Sequence, residues 1–383
     1  MKIGIVGVGH TKFGNLTEDI GELMFKACTE ALKDANTTID KIDVIYIANF
    51  SSSFVNQCHL PALLAARLGI NKEIIRVESA CASGGIALKE AAFAILSGIR
   101  KTALVVGVEK MSSTPIEKTT YILASAAGPI EIQHGATFPS LYGLIARAHF
   151  NKYQTSERHL AEISVKNHLN ATLNPLAHFH KEISVEDVLD SRAIASPLKL
   201  LDCSPISDGG AAVVLCNEEI ASHVEDVVYI IGIGHDVESI YLMDRKDLTV
   251  MPAVINAAQK AYQMCNLTPE NIDVAEVHDC FTIAELIEME DLGFCDKGKA
   301  GEMINLGETK IGGRIPINTS GGLKAKGHPI GATGISQVIE IVKQLQGKAG
   351  KRQVKDAKVG LCCNIGGSGS TAVVSILSKL HKK

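Results

Sequence analysis

Short apolar runs rich in β-branched residues alternate with helical patterns along this chain of 383 residues. Residues 3–8 (IGIVGV) and 227–233 (VVYIIGI) have the length of buried strands, and a Gly-His pair follows each run. A helical pattern comes next in both places, over residues 18–35 and about 251–265. This alternation predicts an α/β fold in which helices cover a buried sheet.

The same order of elements occurs twice in the chain. The segment TTIDKIDVIYIANF (37–50) matches TPENIDVAEVHDCF (268–281) nearly position for position. Each half then continues to a small-residue turn and a helix with one apolar stripe, CASGGIALKEAAFAILSG in the first half and GATGISQVIEIVKQLQG in the second. We therefore predict two similar α/β halves, residues 1–218 and 219–383.

The stretch from about residue 111 to residue 200 has no counterpart in the second half. It is richer in histidine and polar residues, and it contains helical patterns over residues 144–153 and 157–172. Strand character resumes in DCSPISDGGAAVVL, residues 202–215. We predict that this stretch is an inserted loop domain that covers a functional site; an independent third domain is the alternative.

Composition and charge exclude several classes of protein. The net charge of -4, with scattered Lys and Arg, disfavours nucleic-acid binding. No apolar run approaches the roughly 18–20 residues of a membrane span, and the first residues do not resemble a secretion signal. The ten cysteines form no CxxC pair, which is typical of reduced thiols. We therefore expect a cytoplasmic protein that binds neither membrane nor nucleic acid.

The stretch VESACASGGIALKE contains a candidate nucleophile, Cys81. An apolar strand leads into it, and a helix begins directly behind it. The positive end of a helix dipole and free backbone N–H groups favour a thiolate, and the same N–H groups can stabilise an oxyanion. A buried structural cysteine at a tight strand–helix junction is the alternative that this stretch alone leaves open.

Two glycine-rich loops in the second half are candidates for the rest of such a site. NTSGGLKAKGHPIGATG (318–334) contains one histidine, His328, which could take a proton from a thiol. CCNIGGSGS (362–370) follows a strand, and its N–H groups could complete an oxyanion hole. The opening GIVGVGHTKFG lacks the third glycine of a dinucleotide fingerprint, because that position is Lys12.

The peptide VHDCF, residues 277–281, permits three interpretations: metal ligands, half of a nucleophile–base pair, or core residues without chemistry. In an extended segment His278 and Cys280 would share one face, with Asp279 on the other. The spacing of these residues, and of the other Cys and His pairs, does not match a zinc site, so we expect no metal.

SACASGG, DCSPISDGGAAVVL and above all GGLKAKGHPIGATG resemble signatures of the thiolase family, and the resemblance runs the length of the chain. It implies the thiolase fold, with layers in the order αβαβα. It also implies Cys81 as the acylated nucleophile and His328 as its base. Most thiolases have a second catalytic cysteine in a C-terminal Cys-x-Gly turn, where this chain has Asn364. Gly366 then corresponds to the glycine of the oxyanion hole.

The HDCF loop resembles that of the sterol-carrier-protein-type thiolases and the archaeal acetoacetyl-CoA thiolases. Most other thiolases have Asn-Glu-Ala-Phe there. The resemblance implies that Cys280 is the acid/base that the C-terminal turn lacks, and that His278 replaces the asparagine as a donor to the substrate oxygen.

The activity that this resemblance implies is acetyl-CoA C-acetyltransfer, a Claisen condensation of two acetyl-CoA through an acetyl-cysteine. Coenzyme A thioesters would be substrates, with no tightly bound cofactor, and the product would supply mevalonate and isoprenoid synthesis. The implied partners are further copies in a homodimer or homotetramer, and 3-hydroxy-3-methylglutaryl-CoA synthase held through a small bridging protein. Alternatives are a longer-chain 3-ketoacyl-CoA thiolase, a related condensing enzyme, and a non-catalytic acyl-CoA-binding scaffold.

Overall fold

A large mixed sheet forms the centre of the protein, which a computed structural model describes over residues 2–379. Nine of the strands in that range form one sheet, in the order β3-β2-β4-β7-β1-β8-β11-β10-β9, and β5 and β6 form a separate pair. The strands are β1 (Ile3–His10), β2 (Val44–Ala48), β3 (Glu73–Val77), β4 (Thr102–Glu109), β5 (Ala193–Ala195), β6 (Leu198–Lys199), β7 (Gly209–Cys216), β8 (Val228–Val237), β9 (Val274–Glu276), β10 (Val359–Gly366) and β11 (Thr371–Ser378).

The strand order confirms the two similar halves. In the first half the strands follow the order β2-β4-β7-β1. The equivalent strands of the second half follow in the reverse order, β8-β11-β10-β9, and the two halves join where β1 and β8 pair antiparallel. β2 and β4 are parallel, as are β9 and β10, and the remaining equivalent pairs are antiparallel in both halves. The edge strand β3 is present in the first half alone among the described residues. The boundary between residues 218 and 219 stays a prediction.

Some helices cover the outer faces of the sheet, and others form a central layer between the two halves. They are α1 (Ile20–Asp34), α2 (Leu60–Leu68), α3 (Ser83–Leu96), α4 (Ile116–Ala124), α5 (Pro129–Gln133), α6 (Phe138–Lys152), α7 (Glu157–Thr172), α8 (Val185–Leu189), α9 (Glu218–Ala221), α10 (Pro252–Cys265), α11 (Thr282–Asp291), α12 (Ala300–Asn305) and α13 (Ile330–Gln346). None of the helices within residues 2–379 is long and apolar enough to cross a membrane.

The central layer consists of α3 and α13, which share one apolar core with strands of both halves. α1 and α2 pack on the outer face of the first half, and α10 and α11 pack on the second. This is the predicted layering. The carboxyl end of β3 leads into the loop that precedes the central helix α3, and the carboxyl end of β9 leads into the HDCF turn and then α11.

The inserted stretch holds α4 to α8 and the β5–β6 hairpin. The helical pattern predicted over 157–172 matches α7, and that over 144–153 is the second part of α6. Apolar residues of α6 and α7 belong to the same core cluster as α10 and α11. The insertion therefore packs on the second half and is not a separate folding unit with its own core.

Candidate active site

Cys81 lies in a strained turn between β3 and α3. Ala80, just before it, has a φ of 48°, in the left-handed region, which costs a non-glycine residue about 1–2 kcal/mol. Side chains hold the turn: Glu78 accepts the Ala80 N–H at 2.6 Å, and the Ser83 hydroxyl accepts the Ser79 N–H at 2.9 Å. The turn directs the Cys81 thiol into a cavity between the halves.

Burial of the Cys81 thiol disfavours its ionised form. Burial raises its pKa to about 12, and the negative charge of Glu109 adds to the effect. A hydrogen bond from the backbone N–H of Gly367 acts in the opposite direction but is the smaller effect. α3 begins two residues later, at Ser83, and burial of the thiol opposes the thiolate that the sequence predicts; the role of Cys81 as the nucleophile stays a prediction.

His328 lies beside this thiol as a neutral base. Burial and the charge of Lys326 lower the pKa of its imidazole to about 3. Its Nδ1 lies 2.7 Å from the Thr333 hydroxyl, which donates its one proton to the carbonyl of Pro329 at 3.0 Å. The hydroxyl can therefore only accept from Nδ1–H, which leaves the lone pair of His328 on Nε2.

The HDCF peptide follows β9 as a tight turn, in which the Cys280 N–H donates to the His278 carbonyl at 2.8 Å. The backbone is not extended there, but the side chains divide as the alternation predicts. His278 and Cys280 face the cavity side, whereas the Asp279 carboxylate accepts the N–H groups of Leu323 at 2.6 Å and Lys324 at 3.1 Å. Asp279 thus ties this turn to the loop that carries His328.

The four predicted side chains come together. The Cys81 sulfur and one ring nitrogen of each of His278 and His328 lie within 4.8 Å of one another. The two rings meet edge to face, with centroids 5.1 Å apart. Cys280 lines the same cavity as Cys81 and His328. Burial, with the charge of Cys81 next, raises the pKa of Cys280 well above its usual range, and burial lowers that of His278.

The role of Gly366 as the glycine of the oxyanion hole stays a prediction. Gly366 ends β10 opposite Thr371. The N–H that is hydrogen-bonded to the Cys81 sulfur belongs to its neighbour Gly367, which has a φ of 64° and lines the cavity. The left-handed turn at Gly367 directs this amide inward.

The same cluster has the spacing of a metal site. Two imidazole nitrogens and a thiolate are donors that zinc uses, and these three atoms all lie within 4.8 Å of one another. Sequence spacing did not show this, because the three residues come from separate loops.

The cavity in front of the cluster has a volume of about 380 Å³. The inserted stretch supplies much of one wall, as predicted, and most lining side chains are apolar, among them Ile116, Leu123, Phe138, Tyr142, Phe281 and Ile330. Such a wall suits an acyl group and a neutral thioester arm better than a charged ligand.

Three polar residues of the site lay outside the sequence prediction of its chemistry. The Asn364 amide contacts both Cys81 and His278, and the Tyr142 hydroxyl is hydrogen-bonded to Cys280 and to the Gly367 carbonyl. Glu109 is buried with its pKa raised to about 7 by burial. Asn364 was visible as the residue in place of a cysteine, whereas no local pattern marks Tyr142 or Glu109.

The doubled α/β fold, with loops of both halves meeting at a cysteine and two histidines, defines a thiolase-fold enzyme. Comparison with known proteins agrees: the family model for the thiolase N-terminal domain matches residues 3–219, and the model for the thiolase C-terminal domain-like family matches residues 234–379. The chain belongs to the thiolase family and is an acyltransferase of that family.

Relatives span the whole chain. An acetyl-CoA acetyltransferase of the archaeon Methanothermobacter thermautotrophicus is 45% identical over 98% of this chain and 99% of its own length. Human sterol carrier protein 2 is 33% identical over 97% of this chain and 71% of its own length. A solved structure, the Ltp2-ChsH2(DUF35) aldolase, has a TM-score of 0.86 at 25% identity and covers 98% of this chain and 97% of its own.

Proposed function

We propose that the protein is an acetyl-CoA C-acetyltransferase, an acetoacetyl-CoA thiolase that joins two acetyl-CoA into acetoacetyl-CoA and free CoA. The observation that carries this proposal is the cluster itself: a protonated thiol, a neutral histidine base, a second histidine and a second thiol around one apolar cavity. The relative that is 45% identical supports the acetyl group as the substrate.

In the first half-reaction, the sulfur of Cys81 attacks the thioester carbonyl of acetyl-CoA. His328 Nε2 takes the thiol proton as the new S–C bond forms, because neither group is ionised beforehand. The N–H groups of Cys81 and of Gly366, the glycine that the resemblance implies, stabilise the oxyanion. The C–S bond to CoA then breaks, and Cys280 gives its proton to the departing CoA sulfur.

In the second half-reaction, the Cys280 thiolate removes a proton from the methyl group of a second acetyl-CoA. The enolate oxygen accepts hydrogen bonds from His278 and from the now protonated His328, which keeps the developing charge near donors in a dry cavity. The enolate carbon attacks the acetyl-cysteine carbonyl. Cys81 leaves and recovers its proton from His328, so both protons return to their starting residues.

Substitution of Cys280 by alanine tests the second thiol. We expect acetoacetyl-CoA formation to fall about 100- to 10,000-fold, the range for loss of a general base, while a Cys81 adduct still forms with acetyl-CoA. Coupled spectrophotometry measures the first quantity and intact-protein mass spectrometry the second. Cys58→Ser, at an exposed thiol, is the matched control. Full condensation in Cys280→Ala would refute the proton-transfer role, and a wild type inactive on acetoacetyl-CoA would refute the proposed function.

A longer-chain 3-ketoacyl-CoA thiolase is the second candidate, and the size of the cavity favours it. About 380 Å³ with an apolar wall is a large space for a substrate arm that ends in an acetyl group. Cleavage rates across 3-ketoacyl-CoA substrates of increasing chain length discriminate the two. A steady fall of kcat/KM beyond four carbons supports the acetyl-specific enzyme, whereas a strong preference for long chains supports the second candidate.

The wider setting is part of the same proposal: a cytoplasmic homo-oligomer that supplies mevalonate synthesis. A complex with 3-hydroxy-3-methylglutaryl-CoA synthase through a small bridging protein would remove the unfavourable product as it forms. The similar aldolase supports this kind of assembly, since its description names Ltp2 together with a second component, ChsH2(DUF35). Co-purification of the synthase with tagged protein from its own cells tests it.

A further inference from the structure

The side-chain amide of Asn364 has one fixed orientation. Asn364 lies near the end of β10, where its Oδ1 accepts the backbone N–H of Gly85 at 3.0 Å and its Nδ2 donates to the carbonyl of Cys81 at 2.9 Å. A backbone N–H can only donate and a carbonyl can only accept. A flip of the amide would therefore lose both hydrogen bonds, so the NH₂ group must face the Cys81 side.

This orientation fixes the proton on His278. Nδ2 of Asn364 also lies 3.1 Å from His278 Nδ1, and because Nδ2 is a donor, Nδ1 must be the acceptor. The single proton of the neutral ring is then on Nε2. Among the residues that the structure describes, His278 Nε2 is buried and has no hydrogen-bond partner. It is a donor positioned for an oxygen atom of a bound molecule.

The two histidines of the cluster therefore have opposite tautomers. His328 has its proton on Nδ1, through Thr333, and a lone pair on Nε2. His278 has its lone pair on Nδ1 and a proton on Nε2. The first can act as a base and the second as a donor. Zinc would instead need an unprotonated nitrogen from both rings beside the Cys81 thiolate.

We propose that Asn364 is a positioning residue that keeps the proton of His278 on Nε2, and so keeps the Cys81–His278–His328 cluster a donor–base pair instead of a transition-metal site. The inference rests on the proposed function for the use of the donor, but its central claim concerns ring protonation alone. A carboxylate at position 364 would accept from Nδ1–H, as in carboxylate–histidine–zinc triads, and would leave the lone pair of His278 on Nε2.

The test compares Co²⁺ and Zn²⁺ binding by the wild type, Asn364→Ala and Asn364→Asp in the full chain. Cobalt is the spectroscopic probe, because a thiolate-to-cobalt charge-transfer band reports ligation by Cys81. We expect affinity to rise in the order wild type, Ala, Asp, with a gain of about 10- to 100-fold for Asp, the usual size of such partner effects. The band must disappear in Asn364→Asp combined with Cys81→Ser.

Activity gives the second readout. Loss of the Nε2 donor should lower kcat for condensation by about 100- to 1,000-fold in Asn364→Asp, with a smaller change in KM. Thermal melts show whether each variant is folded. If Asn364→Asp does not fold, the comparison of Asn364→Ala with the wild type still tests the proposal. If Asn364 had only a structural role, both variants would lose activity, but their metal affinities would not rise in the order wild type, Ala, Asp.

Equal affinity in all three proteins, or no cobalt binding in any of them, would overturn the proposal. So would wild-type protein that binds Co²⁺ through Cys81 as tightly as Asn364→Asp does. These outcomes do not depend on thiolase turnover. A wild type without activity on acetoacetyl-CoA would therefore refute the proposed function, whereas the metal titration could still be interpreted.

Discussion

Burial disfavours the ionised forms of the Cys81 thiol and the His328 imidazole. Burial raises the pKa of the Cys81 thiol to about 12 and lowers that of the His328 imidazole to about 3. A thiolate–imidazolium pair would need both groups to ionise in a dry cavity, which desolvation opposes. The substrate carbonyl therefore has to be in place before the proton moves, so the free enzyme keeps a weakly reactive thiol.

This arrangement predicts an unusual pH profile. His328, with a lowered pKa, stays unprotonated from pH 6 to pH 8, and Cys81, with a raised pKa, stays protonated over the same range. The rate of Cys81 acetylation by acetyl-CoA should therefore be nearly flat there. Rapid quench and intact-protein mass spectrometry measure this rate. A step in the acetylation rate near the ordinary histidine pKa of about 6.5 would contradict the assignment of His328 as a base with a lowered pKa.

Removal of the base should change the shape of the profile. In His328→Asn, hydroxide has to take the thiol proton, so the acetylation rate should rise about tenfold per pH unit and be about 100- to 10,000-fold lower at pH 7. His223→Asn, at an exposed histidine, is the matched control and should behave as the wild type.

At the scale of elements, the central helix α13 joins the two halves beside the site. Its apolar stripe is visible in the sequence, but the structure buries polar positions such as Gln337 and Glu340 as well. The reason is that α13 packs between α3 and strands of both halves. The Gln337 amide nitrogen donates to the Cys363 carbonyl, and Glu340 pairs with Arg352.

The contact of α13 with α3 should not tolerate a methyl group at Gly334. A Cβ there would lie 2.3 Å from Asn364 Oδ1 and 2.6 Å from the Gly85 nitrogen. We expect Gly334→Ala to lower the free energy of unfolding by about 1–3 kcal/mol, the usual cost of overpacking, as measured by urea denaturation.

The matched control is Gly21→Ala in α1, where a Cβ would meet the ends of flexible side chains, Arg67 among them. It should be neutral, or stabilising by up to about 1 kcal/mol from helix propensity. Equal stability of the two variants would show that the helices separate at little cost.

At the scale of the whole molecule, the sheet is asymmetric at its ends. β3 pairs with β2 on one side, and within residues 2–379 no strand pairs with its other edge. Ile75 on this strand is 36% exposed, and Leu96 and Ile99, just after α3 leaves the same region, are exposed too. An unpaired edge strand beside exposed apolar side chains suits pairing with a second copy.

We therefore predict that two copies of the protein form a dimer joined through the β3 edge. Ile75→Asp should shift the protein towards monomer in size-exclusion chromatography with light scattering, because it would bury a charge in the interface. Leu306→Asp, at another exposed apolar residue, is the control and should leave the mass unchanged. A wild type that is monomeric at micromolar concentration, or an unchanged mass for Ile75→Asp, would refute this interface.

Most of the fold could be predicted from the sequence. The two halves, the insertion and the main strands follow from apolar periodicity and from the repeat of residues 37–50 at 268–281, since such patterns report which face of an element is buried. Less of the site was accessible. Cys81, His328, His278 and Cys280 are recognisable in their loops, but the hydrogen bonds of Thr333 and Asn364 that set the ring protons depend on side-chain geometry that the loop sequences do not show.

The sequence by itself determined the class of fold, the family and which side chains are candidates for chemistry, because these depend on residue type and local spacing. Tertiary structure alone decided the charge and tautomer of each group. Burial between the halves makes Cys81 a thiol, and a hydrogen bond from Asn364 places the proton of His278 on Nε2. Desolvation and hydrogen bonding are sums over neighbours from distant parts of the chain, so they exist only once the two halves have closed on each other.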